Sequence, residues 1–300
     1  MKLKINASTL ALFLILFSVS GCKERLFDSP NEPAPQTVVT APEPEDQTNP
    51  ESGTTPETTP GTTTPPAVSW WLDVSEIALP VSDGTQVDPA FKRGNSKPTI
   101  VILGSATAEG VGASDPSKSW VELMKAKLKA DNKNVNVVNL ALRQYTTYHI
   151  MPTNYKVADR PTAKAEHNIT KALSKKPFLV IIHLTTGDVV NGYSNKEILA
   201  NYETLRQMLV AANVNFIFTG TQPRNTTQAN RDRLSNLNGK IKAIAPDNFV
   251  SVIKKLGQKD YRIKKFYAYH DGRNLTDPGH AVINGSIFNA PVFKKLLGYK

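Results

Sequence analysis

The feature that most constrains the fold is an apolar run, TIVIL at 99–103, that leads directly into a turn of small residues, GSATAEGVGAS. A continuous run rich in β-branched residues is typical of a strand that is buried on both faces of a parallel sheet. Four further strands are predicted along the chain, at 134–140, 177–184, 214–220 and 248–253.

Segments with helical spacing of apolar residues separate these strands. The segment SNKEILANYETLRQMLVAA opens with a capping box, Ser194 to Glu197. Strands that alternate with helices predict an α/β fold with a parallel sheet, whose ligand sites lie at the carboxyl ends of the strands. The predicted helices are 118–130, 161–174, 194–212, 227–245 and 277–297.

The N-terminus is typical of an exported protein. Residues 1–21 carry two early lysines and an apolar run that is too short to span a bilayer, as in a signal peptide. The run ends in VSGC, which resembles a bacterial lipobox, and Cys22 is the only cysteine. Lipidation of Cys22, for example with palmitate, would leave no thiol for disulfides, metal binding or catalysis. The alternative is a plain secretory signal with an incidental cysteine.

Residues 22–68 are interpreted as a lipid anchor and a tether. The stretch 28–68 contains ten prolines and seven acidic residues, and it has no lysine, arginine or aromatic residue. Such a segment cannot bury a core and is expected to be an extended acidic linker. The domain at 69–300 is basic, with 32 Lys+Arg (36 minus 4) against 18 Asp+Glu (26 minus 8). It could meet anionic envelope polymers, although most of these lysines are typical of solvated helix faces.

The predicted compartment is the bacterial cell envelope, with a lipid anchor in the membrane. Lys23 follows Cys22, which points to the outer membrane under the enterobacterial sorting rule. Nucleic acid is not an expected partner in that compartment.

Between about Lys97 and Lys300 the chain contains the stretches NLALRQYTTYHIMP, RPTAKAEHNITKALSKKP, GDVVNGYSNKEILANYETLR, TQPRN and DGRNLTDPGHA. In these stretches the chain resembles the SGNH (GDSL-type) hydrolases, in particular bacterial envelope lipoproteins. The resemblance implies a three-layer α/β/α sandwich with a five-stranded parallel sheet, as in SGNH hydrolases and flavodoxin-like folds. It also implies hydrolysis of esters, or deacetylation of carbohydrates, without a metal or cofactor.

Catalysis in that family needs a serine nucleophile, a histidine base oriented by an aspartate, and oxyanion donors from a glycine amide and an asparagine side chain. The motif alignment places Ala106 at the nucleophile, Gln144 at the glycine, Gly187 at the asparagine and Asn274 at the base. Only the orienting acid, Asp271, matches. The resemblance therefore predicts a pseudoenzyme, with no catalytic residues and no metal site.

An active enzyme is the alternative hypothesis. Ser105 neighbours the vacated nucleophile position, and DPGH at 277–280 is itself an Asp-x-x-His string that ends in His280. A displaced Ser105–His280 pair would make the protein a serine esterase or carbohydrate deacetylase. Gly279-His280 also fits a Gly-His pair that the family carries at the start of its last helix, where a structural role is expected.

The leading hypothesis is a lipid-anchored protein that binds envelope glycan, peptidoglycan or a protein partner through the altered cleft. Glutamine and asparagine can hydrogen-bond sugar hydroxyls, and tyrosine can stack on a sugar ring. The alternative is that these are ordinary surface residues and that the domain is a spacer, with Trp70-Trp71 available to a protein partner. The candidate ligand-binding residues are Arg143, Gln144, Tyr145, Asp188 and Asn274.

Overall fold

The structure is a computed structural model, and it describes residues 97–184 and 186–300. The predictions for the signal peptide at 1–21, for Cys22 and for the tether up to residue 68 lie outside the described residues, as does Trp70-Trp71. None of the helices in the described ranges is both long enough and apolar enough to cross a membrane.

Five parallel strands form one sheet in the order β2-β1-β3-β4-β5, which confirms the predicted α/β fold class. The chain steps outward from β1 to β2 and then crosses back to β3 on the other side of β1. The topological switch point therefore lies between β1 and β3, and the carboxyl ends of these strands are where folds of this kind place their ligand sites. The strands are β1 (Thr99–Gly104), β2 (Asn136–Asn139), β3 (Leu179–His183), β4 (Asn215–Thr219) and β5 (Phe249–Val250).

Helices cover both faces of the sheet within the described residues. The predicted capping box is present at the start of the helix that follows Ser194: the Ser194 amide donates to Glu197 Oε2 at 2.7 Å, and the Glu197 amide donates to Ser194 Oγ at 3.2 Å. The helices are α1 (Ala106–Glu109), α2 (Trp120–Ala130), α3 (Ile169–Ser174), α4 (Gly187–Val190), α5 (Asn195–Ala211), α6 (Gln228–Ile244), α7 (Ile253–Leu256), α8 (Asp277–Phe288) and α9 (Pro291–Leu297).

Alternate residues of β1 face opposite helical layers because side chains of a strand point to opposite faces. Ile100 and Ile102 pack with α2, α8 and α9, whereas Val101 and Leu103 pack with α3, α5 and α6. All four side chains are fully buried. The sheet is therefore the middle of three layers, and the loops at its carboxyl edge rest on a core that is packed on both sides.

Two helix predictions were wrong in extent. The helix predicted over 161–174 begins only at Ile169, because the Asn168 side chain accepts the Lys171 amide as an N-cap. The residues before it pair with neighbouring loops instead, as His167 Nδ1 does with the Leu140 carbonyl at 2.9 Å. The helix predicted over 277–297 is two helices, since Pro291 has no amide hydrogen and starts α9.

Candidate functional site

The candidate site is the set of loops at the carboxyl edge of the sheet, which we call the cleft loops. They comprise residues 105–112, 140–147, 186–188, 221–225 and 269–274. All four positions that the family pattern assigns to catalysis lie on these loops or on the short helices that follow them.

The first cleft loop turns sharply from β1 into α1. A Cβ on Gly104 would lie 2.6 Å from both Ala108 Cβ and the His183 carbonyl oxygen, so only glycine fits at the end of the strand. Ser105 is the N-cap residue of α1, and Ala106 is its first residue. Ala106 presents a partly exposed methyl group where the family pattern has a hydroxyl. The Ser105 hydroxyl has no hydrogen-bond partner among the described residues.

The second cleft loop holds Gln144 in a left-handed backbone conformation, with φ of 66°. Glycine adopts this conformation without steric cost, whereas other residues are strained by about 1–2 kcal/mol. This agrees with the alignment that places Gln144 at a glycine position. The neighbouring Arg143 ties the loop to α1: its backbone amide and its Nη2 donate to the Glu109 carboxylate at 2.7 and 2.9 Å. Arg143 and Gln144 are both exposed, as expected for cleft residues.

The third cleft loop lacks room for the missing asparagine. A Cβ on Gly187 would lie 3.1 Å from the Tyr145 carbonyl oxygen and 3.4 Å from Thr146 Cγ2. A side chain at this position would require the backbone of the second loop to move by a few tenths of an ångström. The absence of a side chain at Gly187 therefore allows the second loop to lie this close to the third.

Three of the five candidate ligand-binding residues, Tyr145, Asp188 and Asn274, are buried rather than open to the cleft. The Asp188 carboxylate is buried and accepts the Thr147 amide at 3.0 Å and the Thr147 hydroxyl at 2.6 Å. Burial raises its pKa to about 6 despite these hydrogen bonds. Tyr145 is 7% exposed, and its ring stacks on His149 at 4.7 Å. Asp188 and Tyr145 therefore stabilise the second loop, the first through its hydrogen bonds to Thr147 and the second through its stacking on His149.

Asn274 and Asp271 are joined in the fifth cleft loop. Asn274 Nδ2 donates to Asp271 Oδ2 at 2.6 Å, while the backbone amides of Arg273 and Asn274 donate to Oδ1 at 2.8 and 2.9 Å. Burial opposes ionisation of Asp271, but these three hydrogen bonds outweigh it and its pKa lies below the usual value. Because an ionised carboxylate only accepts, the amide nitrogen must face it. The asparagine thus donates to the aspartate but has no basic nitrogen to accept a proton.

The structure does not assemble the alternative Ser105–His280 pair. His280 is fully buried; its Nδ1 accepts the Trp120 amide at 3.3 Å, and its Nε2 lies 3.3 Å from the Val111 carbonyl oxygen. A neutral ring with its proton on Nε2 satisfies both partners, and burial lowers the pKa of His280 further. Asp277 instead binds Ser114, at 2.7 Å from the amide and 2.6 Å from the hydroxyl. His280 therefore links α8 to α2 and to the first cleft loop.

Sequence reasoning missed two arginines in the cleft. Arg224 follows β4 in the TQPRN stretch, and its Nη1 donates to Thr186 Oγ1 at 3.2 Å. Burial lowers the pKa of Arg224, and the positive charge of Arg273 lowers it further, with Asp271 acting in the opposite direction. The stretch TQPRN was noted as part of the family resemblance, and its place after β4 was the available signal.

No group of three or more His, Cys, Asp or Glu side chains in the described ranges is arranged to hold a metal ion. At the opposite, amino-terminal end of the sheet lies a groove of about 610 Å³ beside β2. Its lining includes four lysines, Lys97, Lys125, Lys129 and Lys133, and no acidic residue. This groove is separate from the cleft loops.

A family model described as the GDSL-like lipase/acylhydrolase family matches residues 102–282. That range begins in β1 and ends in α8, so it contains all the cleft loops. It thus includes each vacated position. No curated protein matches the chain.

Solved structures with the same fold include several esterases. The psychrotrophic esterase EstA from Pseudoalteromonas sp., inhibited by monoethylphosphonate, has a TM-score of 0.51 and 18% identity over 67% of this chain and 100% of that chain. TesA has a TM-score of 0.52 and 19% identity over 66% and 99% of the two chains. The acetyl xylan esterase AlAXEase has a TM-score of 0.51 and 14% identity over 64% and 97%. At these identities the likeness concerns the fold alone.

Proposed function

The chain belongs to the GDSL-like lipase/acylhydrolase family, and from this premise we propose that it is a catalytically inactive member that binds rather than cleaves. In this proposal it is a lipid-anchored protein of the bacterial cell envelope that holds a glycan, such as peptidoglycan, in the vacated cleft. Cys22 carries the lipid, and the acidic stretch 28–68 lets the domain stand away from the outer membrane.

The observation that carries the proposal is the pair Asn274–Asp271. Serine is a poor nucleophile until a base removes its proton, and an amide cannot act as that base. Ala106 adds a second loss, because a methyl group cannot attack an ester. Loss of either the nucleophile or the base from a serine hydrolase typically costs on the order of 10⁴–10⁶ in turnover.

Binding of a carbohydrate is supported by the groups that remain accessible. Gln144 and Arg143 are exposed beside the vacated nucleophile loop, and the Ser105 hydroxyl is unengaged within the described residues. Amide and hydroxyl groups of this kind can donate to and accept from sugar hydroxyls. One structure of similar fold is named an acetyl xylan esterase, which is a protein with a carbohydrate substrate.

The test is co-sedimentation of the full-length chain, in detergent, with insoluble peptidoglycan and with cellulose as an unrelated glycan. We expect retention on peptidoglycan that falls severalfold in Gln144→Ala. The matched control is Gln207→Ala, on the exposed side of α5. Equal retention of wild type and Gln144→Ala would contradict binding through the cleft, and no retention on peptidoglycan would contradict the proposed ligand.

A further inference from the structure

Arg224 and Arg273 form a pair of positive charges in the vacated cleft. Arg224 is half-buried, and its one hydrogen bond in the described structure goes to the neutral hydroxyl of Thr186. The exposed guanidinium of Arg273 has no hydrogen-bond or ion-pair partner in the described residues. The backbone hydrogen bond from the Asn225 amide to the Gly272 carbonyl, at 2.9 Å, joins the loops that carry the two arginines. The positive charge of Arg273 accordingly lowers the pKa of Arg224.

Within the described residues, five of the other six arginines pair with a carboxylate, whereas the partly buried Arg233 donates two or more hydrogen bonds to neutral oxygens. A half-buried guanidinium without an anionic partner loses hydration and gains little in return. The carboxylate partners are Glu109 for Arg143, Glu197 for Arg160, Glu203 for Arg206, and Asp260 for Arg231 and Arg262. Arg233 donates to the Tyr193 carbonyl oxygen and to the side-chain oxygen of Asn195.

The nearby carboxylate does not fill this role. Asp271 lies close enough to raise the pKa of Arg224, but its oxygens accept two backbone amides and the Asn274 side chain. It makes no ion pair with either arginine. The site keeps an excess of one positive charge, from two arginines and one aspartate.

Hydrogen bonds between the fourth and fifth cleft loops hold together the two backbone segments that carry Arg224 and Arg273. Gln222 Nε2 donates to the Arg273 carbonyl at 2.9 Å, and the Asn225 amide donates to the Gly272 carbonyl at 2.9 Å. Asn225 Oδ1 in turn accepts the Ile263 amide at 2.9 Å. These hydrogen bonds fix the backbones of the fourth and fifth cleft loops relative to each other, so the two arginine side chains start from defined positions on adjacent loops.

The arginines also lie beside two vacated family positions. Arg273 precedes Asn274, at the position of the base, and Thr186, which Arg224 contacts, precedes Gly187, at the position of the oxyanion donor. A ligand group between them would occupy the space where the family's catalytic residues belong.

We infer that Arg224 and Arg273 bind an oxyanion, a carboxylate or phosphate group, on the glycan that the cleft holds. Guanidinium groups match the geometry of both anions and can bind either with two parallel hydrogen bonds. This inference rests on the proposed function and specifies it, because it makes the ligand an acidic rather than a neutral glycan. The arginine pair then distinguishes ligands by charge, while Gln144 and Ser105 contact hydroxyl groups.

The test is calorimetric titration of the full-length chain in detergent with three probes. Oligogalacturonate carries carboxylates, its fully methyl-esterified form is the same sugar without charge, and inorganic phosphate tests the anion site without any sugar. The variants are Arg224→Gln, Arg273→Gln and Arg224→Lys, and the matched control is Arg262→Gln. Arg262 is exposed and lies outside the cleft loops.

We expect oligogalacturonate or phosphate to bind the wild type, and Arg224→Gln and Arg273→Gln each to weaken that binding about tenfold or more. Arg224→Lys keeps the charge but loses the paired donors, so it should be intermediate. Arg262→Gln should change affinity less than twofold. Urea unfolding checks the fold, and Arg224→Gln should be at least as stable as wild type, because it removes a poorly paired charge from a half-buried position.

The outcomes separate this inference from the proposed function. Equal binding of oligogalacturonate and its methyl ester, unaffected by Arg224→Gln, would overturn the anion site and leave glycan binding standing. Phosphate binding that depends on both arginines, with no glycan bound, would support the anion site and contradict the glycan. Stronger binding of oligogalacturonate than of phosphate identifies the carboxylate as the ligand group, and the reverse identifies phosphate. No binding of any probe would overturn the anion site, and co-sedimentation with peptidoglycan would then decide the proposed function separately.

Discussion

The side-chain amide of Asn274 donates a hydrogen bond to the carboxylate of Asp271 at 2.6 Å. Among the family's catalytic positions, Asp271 is the one that keeps the family's residue in the motif alignment. The acid therefore keeps a donor partner although the partner is no longer a base. Asp271 receives three N–H donors, which stabilise its charge and hold the fifth cleft loop together with an asparagine at the family's base position.

Gln144→Gly should stabilise the protein by about 0.5–1 kcal/mol. The substitution relieves the strain of the left-handed backbone at φ of 66°, which costs about 1–2 kcal/mol. Part of this gain is lost, because the greater freedom of glycine in the unfolded chain destabilises the folded state by about 0.5–1 kcal/mol. The free energy of unfolding in urea measures the change. Gln207→Gly, within α5, is the control and should destabilise by about 1 kcal/mol. A loss of stability in Gln144→Gly would show that the glutamine side chain makes compensating contacts.

Asp188 should make stability fall as pH rises between about 4 and 7. Its pKa is raised from 3.8 to about 6 in the folded protein, so the native state binds the proton more tightly than the unfolded chain. The stability that this group contributes is full below the unfolded pKa and is lost as pH rises through the folded pKa.

Other groups also titrate in this range, so the measured quantity is the difference between wild type and Asp188→Asn. Relative to the variant, wild type should lose up to about 3 kcal/mol from pH 4 to pH 7. Asp232→Asn, on the exposed side of α6, is the control. A difference that does not vary with pH, or that grows in favour of wild type, would contradict the buried position of the Asp188 carboxylate.

Cys22 should be the lipid-modified N-terminus of the mature protein. The small residues before this sole cysteine favour lipidation, and the 28–68 stretch has the composition of a spacer. Intact-mass analysis of protein from membranes tests the prediction, with Cys22→Ser as the control that should lose both the added mass and the membrane association. An unmodified Cys22 in the mature protein would contradict the lipid anchor.

The sheet could be predicted from the sequence because its strands are apolar runs buried on both faces, a pattern that helices of this protein do not share. The motif alignment assigned Gln144 to a glycine position, and the left-handed backbone of Gln144 is consistent with that assignment. The extent of the helix before β3 was mispredicted because Asn168 caps a shorter helix.

Accessibility was harder to predict than position. Tyr145 and Asp188 were expected to face ligand, but tertiary packing encloses them, since His149 covers one and Thr147 hydrogen-bonds the other. Arg224 was missed because its lack of an anionic partner is visible only from the contacts between loops, which no single motif reveals. Contacts between loops that are distant in the chain therefore decide which residues remain free.

Restoring single catalytic residues should not restore activity. In Ala106→Ser the new hydroxyl would still lack a base, and in Asn274→His the base would have no nucleophile. The double variant should hydrolyse an acetyl ester slowly, because Gly187 still provides no oxyanion donor and loss of one such donor costs about 10²–10³ in turnover. Hydrolysis of p-nitrophenyl acetate above the buffer rate measures this, with Ser105→Ala as the control. Activity in Ala106→Ser alone would show that another base serves the cleft.

Labelling of the wild-type chain with a fluorophosphonate probe tests the central claim most directly, because the probe reacts only with an activated serine. We predict no stoichiometric labelling of wild type or of Ser105→Ala, and labelling of the Ala106→Ser/Asn274→His double variant above both. Stoichiometric labelling of the wild type that disappears in Ser105→Ala would contradict the account and identify the protein as an active serine hydrolase.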